Sequence, residues 1–239
     1  LANKLKAEII DHNNFIGGRY SVLSEVGMLP SILLGLNEKK FKQLNNIVKN
    51  KNFLNSLITN TANIIFFLKK KKYNSVILNY DKDSEDLFKW YQQLVGESLG
   101  KKQKGAFPII STMPKDNHSL MQLYLDGPKN NFFTFFSVNE KKSEKIINSK
   151  LLKSYSYLKN KSFGFILNSQ KLASEKVFLK KNIPFRSFEI LRRNEETLGE
   201  LFTFFILETI LVSKSLGLNP YNQPAVELIK IETKKKLIG

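Results

Sequence analysis

The sequence contains no cysteine and only two histidines, His12 and His118, among its 239 residues. Without thiols the chain can form neither disulfides nor thiolate metal sites, and two widely separated histidines do not suggest a zinc cluster. A P-loop, a GxGxxG sequence after a strand and a helical HExxH sequence are also missing. We therefore expect acid–base chemistry without a metal or other cofactor, and a reducing, cytoplasmic location.

Long apolar runs are missing as well. A helix that spans a membrane needs about 20 consecutive apolar residues. The longest candidate, residues 198–218, carries Glu200, Glu208 and Lys214. This segment predicts a helix buried in a protein core, and we expect no membrane contact.

Acidic residues are few, since 21 Asp and Glu stand against 38 Lys and Arg, which gives a net charge of +17. Such a charge favours binding to nucleic acid, to an anionic membrane or to a phosphorylated ligand. The lysines fall in scattered runs, however, and the aromatic residues form core-like runs such as FFTFFSV (132–138). We expect an ordinary lysine-rich surface with no specific nucleic-acid site; the alternative, a nucleic-acid binder, predicts salt-dependent binding to duplex DNA.

Short β-favouring runs alternate with helical patterns along the chain. The predicted strands are residues 75–80, 107–112, 132–138 and 183–190. This alternation predicts an α/β fold, with a doubly wound parallel sheet flanked by helices on both faces and a ligand site beyond the carboxyl ends of the strands.

The helical patterns are interrupted by glycine and proline. Residues 1–30 are predicted to be mainly loop, and broken helices follow from Pro30 to Leu68. A linker and a helix are predicted to lead past Lys153. Helices are further predicted over residues 84–98, 118–127, the second half of 161–182, 195–217, and from Pro224 onward.

A glutamate stands between glycine and serine in WYQQLVGESLGK (90–101). Gln93 and Glu97 are four residues apart, so they share one face of the predicted helix. Gly96 would allow a backbone or a substrate to approach closely, and the pair Trp90–Tyr91 suggests partial desolvation. Burial raises the pKa of a carboxylic acid toward neutrality, which would suit a general base. The alternative is a solvated surface glutamate.

Two further segments carry a permanent cation and a proton-transfer group. In GGRYS (17–21), the glycines would permit backbone geometry closed to other residues, and Arg19 could hold a phosphate or stabilise an oxyanion. His118 stands near a predicted strand–helix junction and can transfer protons near pH 7. The alternatives are a glycine turn with a surface arginine, and a structural histidine.

The segment NPYNQPAVELIK (219–230) places polar residues at helical spacing. A proline suits the first position of a helix, because its missing N–H has no partner there. With such a start, Gln223, Glu227 and Lys230 form one stripe over two turns. The alternative is a lysine on an amphipathic surface helix.

Four segments together resemble the glucose-6-phosphate isomerase family, in that family's order. They are GGRYSVLSEVGMLP, FKWYQQLVGESLGKK, KDNHSLMQLYLDGPKNNFFTFFSV and ETILVSKSLGLNPYNQPAVELIK. The family has two sugar-isomerase (SIS) domains, and the resemblance implies that residues 1–30 end the first and residues 31–239 form the second, with its C-terminal helix. We expect the chain to begin within a longer protein and, without the Ser/Thr-rich phosphate loop of the first domain, to bind substrate weakly.

The resemblance implies an aldose–ketose isomerase that interconverts glucose 6-phosphate and fructose 6-phosphate through a cis-enediol, without a cofactor, as a homodimer with shared active sites. By this resemblance, Glu97 would carry the proton and Arg19 would stabilise the enediolate. His118, from a neighbouring subunit, and Lys230 would assist ring opening. Gln93 and Gln223 would bind the substrate.

Two departures from the family pattern, Asn117 in place of Gln and Asn222 in place of Asp, keep polar side chains. Two alternatives remain beside the isomerase. One is an inactive fragment that supplies only half of a site and a subunit interface. The other is a non-catalytic SIS-type module that binds a sugar phosphate.

Overall fold

A computed structural model describes residues 2–139, 143–146 and 152–238. The chain divides into two compact units, which we call the helical unit and the sheet unit. The helical unit comprises residues 1–66, 93–105 and 195–239, and the sheet unit comprises residues 67–92 and 106–194. The predicted SIS-domain boundary near residue 30 stays a prediction.

The secondary structure alternates along the chain. The strands are β1 (Asn74–Asn79), β2 (Phe107–Thr112), β3 (Asn131–Val138) and β4 (Phe185–Ile190). The helices are α1 (Ala2–Leu5), α2 (Glu25–Leu33), α3 (Glu38–Phe41), α4 (Leu44–Ile47), α5 (Lys51–Lys69), α6 (Glu85–Leu99), α7 (Asp116–Ser119), α8 (Met121–Asp126), α9 (Phe163–Lys180), α10 (Glu195–Ser215) and α11 (Pro224–Ile238). Short 3-10 helices span Gly18–Leu23, Lys82–Ser84 and Lys153–Leu158.

The sheet unit contains a parallel sheet with the strand order β2-β1-β3-β4. Val76 of β1 lies opposite Ile109 of β2 and Phe133 of β3, so β1 is paired on both sides. A strand buried on both edges and both faces requires apolar residues along its length, as Val76, Ile77 and Leu78 provide. The predicted parallel α/β sheet is therefore confirmed.

Helices pack on both faces of this sheet. Phe135 and Phe136 are consecutive residues of β3, so their side chains point to opposite faces. The ring of Phe135 lies 5.2 Å from that of Phe178 in α9, and the ring of Phe136 lies 4.8 Å from that of Phe88 in α6. Edge-to-face aromatic pairs thus attach one helix to each side of the sheet.

The core of the helical unit is built around α10, which confirms the buried helix predicted for this segment. Gly199 of α10 lies against the backbone of α3, since an added Cβ would stand 2.2 Å from the carbonyl oxygen of Phe41. Phe204 makes an edge-to-face contact with Phe53 of α5 at 5.8 Å. In the described ranges, no helix combines the length and apolarity needed to cross a bilayer.

The prediction of a mainly loop-like stretch up to residue 30 is wrong for its second half. Residues Gly18–Leu23 form a 3-10 helix, and α2 begins at Glu25 and contains Pro30. The helix continues through the proline although its ring removes one amide donor and crowds the preceding turn. Leu34 still donates to the Pro30 carbonyl at 3.0 Å.

The first half of residues 161–182 is helical as well, contrary to the prediction. The hydroxyl oxygen of Ser162 accepts a hydrogen bond from the amide of Phe165 at 3.2 Å, which caps α9 and starts it at Phe163. Gly164 in the first turn therefore does not delay the helix. The linker and helix predicted to lead past Lys153 fall partly outside the described residues.

Replacing the buried Phe178 by Ala should destabilise the sheet unit strongly. Its ring contacts Phe133 and Phe135, and the substitution would leave a cavity under the sheet. We expect the free energy of unfolding in urea to fall by about 3–5 kcal/mol. The matched control is Phe165→Ala, on the same helix at a ring 53% exposed, which should cost about 1 kcal/mol or less. Equal losses for the two variants would contradict this account of the core.

Candidate active site

The side chain of Arg19 is the centre of a hydrogen-bond network in the helical unit. It is only 2% exposed, and the 3-10 helix that carries it directs it into the protein. Its Nε donates to Ser98 Oγ at 3.0 Å. Its Nη1 donates to Glu97 Oε2 at 2.9 Å and to Gln223 Oε1. Its Nη2 donates to the carbonyl oxygens of Pro220 at 2.6 Å and Asn222 at 3.3 Å. These five bonds match the five N–H donors of a guanidinium group.

Glu97 lies in the last turn of α6, on the side of the helix opposite its buried apolar residues. The neighbouring residues Leu94 and Val95 are buried, so the helix is fixed in rotation and presents Gln93 and Glu97 together. Gln93 Nε2 donates to Glu97 Oε1 at 3.1 Å, which confirms the predicted shared face. The two carboxylate oxygens are therefore held by different partners, Gln93 and Arg19.

Glu97 also borders a cavity of about 570 Å³ within the helical unit. The residues on its walls include Gly96, Lys101, Asn222 and Gln223. A Cβ added at Gly96 would meet no atom of the described chain within 4 Å, so the close backbone approach considered for this glycine is not present. Instead, Gly96 leaves open space beside a carboxylate that is 26% exposed. This cavity is large enough for a small polar ligand.

Tyr20 and Ser98 extend the network, although neither was predicted. The Tyr20 hydroxyl lies 2.8 Å from Ser98 Oγ and donates to the Pro220 carbonyl at 3.1 Å. Burial raises the pKa of Tyr20, and its hydrogen bond with Ser98 and the charge of Arg19 partly offset this effect. Their only sequence signal was position, because each directly follows a predicted site residue, Arg19 or Glu97.

The role predicted for the two glycines before Arg19 is wrong. Gly17 has φ −65° and ψ 152°, which any residue can adopt, and Gly18 begins the 3-10 helix. A Cβ at either position would meet nothing within 4 Å in the described structure. The glycines are therefore not required by the backbone geometry that places Arg19.

The structure brings together four of the six predicted site residues, namely Arg19, Gln93, Glu97 and Gln223. Lys230 is solvent-exposed on α11, and its ammonium group donates to Glu227 at 2.7 Å. The stripe predicted on α11 thus forms a local ion pair on the surface. His118 belongs to the sheet unit, where it is exposed on α7.

A second cavity, of about 530 Å³, lies at the carboxyl ends of β1, β3 and β4 in the sheet unit. This is where the sequence pattern placed the ligand site, yet none of the predicted site residues is among the described residues that line it. Its charged groups are internally paired. The fully buried Lys171 bonds to Glu175 and Glu189, and Asp81 bonds to Arg193. Its carboxylates, Asp81 and Glu189, are thus paired with cations, but neither of them belongs to the network around Arg19.

Comparison with known proteins connects the chain to one family. A family model described as phosphoglucose isomerase matches residues 6–237. A relative from Mycoplasmopsis pulmonis named glucose-6-phosphate isomerase is 35% identical over 224 residues, which is 90% of this chain and 52% of that protein. The chain spans about half the length of the curated relatives it matches.

Solved structures share the fold at lower identity. A hypothetical protein from Thermus thermophilus has a TM-score of 0.89 and 22% identity, over 100% of this chain and 59% of that chain. A glucose-6-phosphate isomerase from Chlamydia trachomatis has a TM-score of 0.75 and 18% identity, over 99% of this chain and 50% of that chain. At these identities the similarity establishes the architecture.

Replacing Tyr20 by Phe should change how stability depends on pH. The folded pKa of Tyr20 lies above its usual value of 10.0, so the stability it contributes is complete below that pH and is lost as the pH rises through the folded pKa. Tyr20→Phe should lower the free energy of unfolding by about 1 kcal/mol at pH 7, where two hydrogen bonds are lost. Above pH 10 its stability should fall less steeply than that of the wild type.

Urea unfolding at several pH values between 7 and 11 measures both effects. Tyr73→Phe, at an exposed tyrosine, is the control and should follow the wild-type curve until the most alkaline points. Parallel curves for wild type and Tyr20→Phe above pH 10 would contradict the assignment.

Proposed function

The chain belongs to the phosphoglucose isomerase family, and from this premise we propose that it supplies the catalytic carboxylate of an aldose–ketose isomerase acting on a hexose 6-phosphate. The reaction would interconvert glucose 6-phosphate and fructose 6-phosphate. One observation carries the proposal: Glu97 borders a cavity while its carboxylate is held 2.9 Å from the buried guanidinium of Arg19. The names of the relatives and the four sequence segments support the choice of substrate.

The isomerisation requires one proton to move between adjacent carbons. In the proposed mechanism Glu97 removes the proton from C2 of the open-chain aldose, which gives a cis-enediol intermediate, and returns it to C1. The proton of the C2 hydroxyl moves to the C1 oxygen in the same sequence, so the C1 carbonyl becomes a hydroxyl and the C2 hydroxyl becomes the carbonyl of the ketose. Each carboxylate oxygen has two lone pairs. Contacts with Arg19 and Gln93 therefore leave acceptor capacity for the substrate.

Arg19 would supply the permanent positive charge that stabilises the enediolate oxygen. Electrostatic stabilisation by fixed donors commonly contributes more than any other effect in such catalysis, about 3–4 kcal/mol per donor. Because the donors of Arg19 are engaged by protein groups, a substrate oxygen has to take the place of one acceptor. The side-chain oxygen of Gln223, which shares Nη1 with Glu97, is the acceptor we propose to be displaced.

The remaining roles rest on the resemblance to the family. We assign ring opening to His118, supplied by a neighbouring subunit of a homodimer, and to Lys230. Gln93 and Gln223 would contact the substrate. Lys230 has a side chain that is 64% exposed, so it can exchange Glu227 for a substrate oxygen without burying a charge. A cytoplasmic location is part of the same proposal and is favoured by the absence of cysteine.

One alternative is favoured by a specific observation, since the chain spans about half the length of its relatives. It could supply only half of a catalytic site. A coupled assay that measures glucose 6-phosphate formed from fructose 6-phosphate separates the two. Turnover by the 239-residue chain alone, above the rate without protein, would rule out an inactive half-site. Turnover only in a longer protein that contains this chain would establish it.

Replacing Glu97 by Gln should abolish proton transfer while preserving the shape of the side chain. The amide can still accept from Arg19 but cannot act as a base, so kcat should fall by about 10³-fold or more. The direct measurement is the exchange of the C2 hydrogen of glucose 6-phosphate with deuterium from solvent, followed by NMR.

The matched control is Glu232→Gln, which makes the same change at an exposed residue paired with Lys235 on α11. Its exchange rate should equal that of the wild type. Exchange at the wild-type rate in Glu97→Gln would exclude this residue as the base.

A further inference from the structure

The loop between α10 and α11, residues 216–223, turns its backbone carbonyl groups toward cationic side chains. Lys104 Nζ donates to the carbonyl oxygen of Leu216 at 2.9 Å, and Lys101 Nζ donates to that of Asn219. Farther along the loop, the carbonyl oxygens of Pro220 and Asn222 accept from Arg19. Three cations thus bind the 216–223 loop through its main chain, whatever side chains it carries.

Each lysine donates a hydrogen bond to a carbonyl oxygen that lacks a backbone donor within the described chain, and such an oxygen attracts a cation. Leu216 directly follows α10, and the last carbonyls of a helix lack intrahelical partners and form its negative end. Asn219 lies in the middle of the loop, where no regular structure pairs its carbonyl. Hydrogen bonds from charged donors are about twice as strong as neutral ones. The two lysines therefore hold the start and the middle of the loop.

The position of this loop matters because it forms part of the cavity beside Glu97. Asn222 and Gln223 line that cavity together with Lys101, and Gln223 bonds to Arg19. Lys101 follows Glu97 by four residues, so the chain segment that carries the carboxylate also carries the cation that binds the loop. Desolvation, and then the charge of Arg19, lower the pKa of Lys101, which agrees with a partly enclosed ammonium near the network.

We propose that Lys101 and Lys104 are positioning residues that fix the 216–223 loop, and with it Gln223, beside the pair formed by Arg19 and Glu97. This inference rests on the proposed isomerase function for its catalytic consequence. The loop geometry itself can be tested without any activity. Neither lysine touches the reacting atoms in this assignment.

Replacing Lys101 by Met removes the charged donor and keeps a similar chain length. Amide hydrogen exchange in the peptide that covers residues 216–223 should become about tenfold faster. The amides of Gly217, Leu218 and Tyr221 are bonded within the folded structure and serve as reporters. Lys104→Met should give a smaller acceleration at the start of the loop, and provides a second test if Lys101→Met does not fold.

The kinetic readout distinguishes positioning of a binding residue from a general loss of structure. KM for fructose 6-phosphate should rise about tenfold in Lys101→Met, with kcat changed by less than about threefold. Lys101→Arg retains a cationic donor and should restore KM to within about threefold of the wild type. Failure of this rescue, with a normally folded variant, would overturn the proposal.

Lys102→Met is the matched comparison. It removes the same charge from the same cavity, but no described hydrogen bond links Lys102 to the loop. An equal rise of KM in Lys102→Met and Lys101→Met, with loop exchange as in the wild type, would show a bulk charge effect and overturn the proposal. If neither this chain nor a longer protein that contains it shows isomerase activity, the proposed function fails, whereas faster loop exchange in Lys101→Met still supports the role of the lysine.

Discussion

The guanidinium group of Arg19 is the interaction on which the candidate site depends, because it joins segments that are distant in sequence. Its acceptors lie on Glu97 and Ser98 at the end of α6, and on the 216–223 loop before α11. Burying a cation costs several kcal/mol unless it is paired and fully bonded. Here a carboxylate, a hydroxyl, a side-chain amide and main-chain carbonyls meet this requirement together, so that their positions are coupled.

This arrangement has a direct consequence for chemistry. Donors and charges that are fixed before a substrate arrives need no reorganisation during the reaction, which is the physical basis of electrostatic catalysis. The carboxylate of Glu97 is oriented from two sides, by Arg19 and Gln93, and still faces open space. The same bonds that stabilise the helical unit therefore also orient the carboxylate that we propose as the base. A substrate oxygen can use Arg19 only by replacing one of its present acceptors.

Sequence patterns located the elements that depend on local chemistry. Dense β-branched and aromatic runs marked the strands, and the spacing of Gln93 and Glu97 determined their shared face. The patterns could not identify acceptors that are backbone carbonyls, such as that of Pro220, because every residue has one. Nor could they show which side chains the guanidinium of Arg19 would reach across the chain, such as Gln223. Such features depend on tertiary contacts, and they separate a set of candidate residues from an assembled site.

The proposed function requires that the carboxylate of Glu97, held by Arg19, lies where the sugar reacts. A crystal structure of the protein with bound fructose 6-phosphate tests it most directly. We expect C1 and C2 of the sugar within about 3–3.5 Å of the Glu97 carboxylate, and a sugar oxygen on Nη1 of Arg19 in place of Gln223. A sugar bound instead in the cavity at the strand ends, with Glu97 in contact only with protein groups, would contradict it.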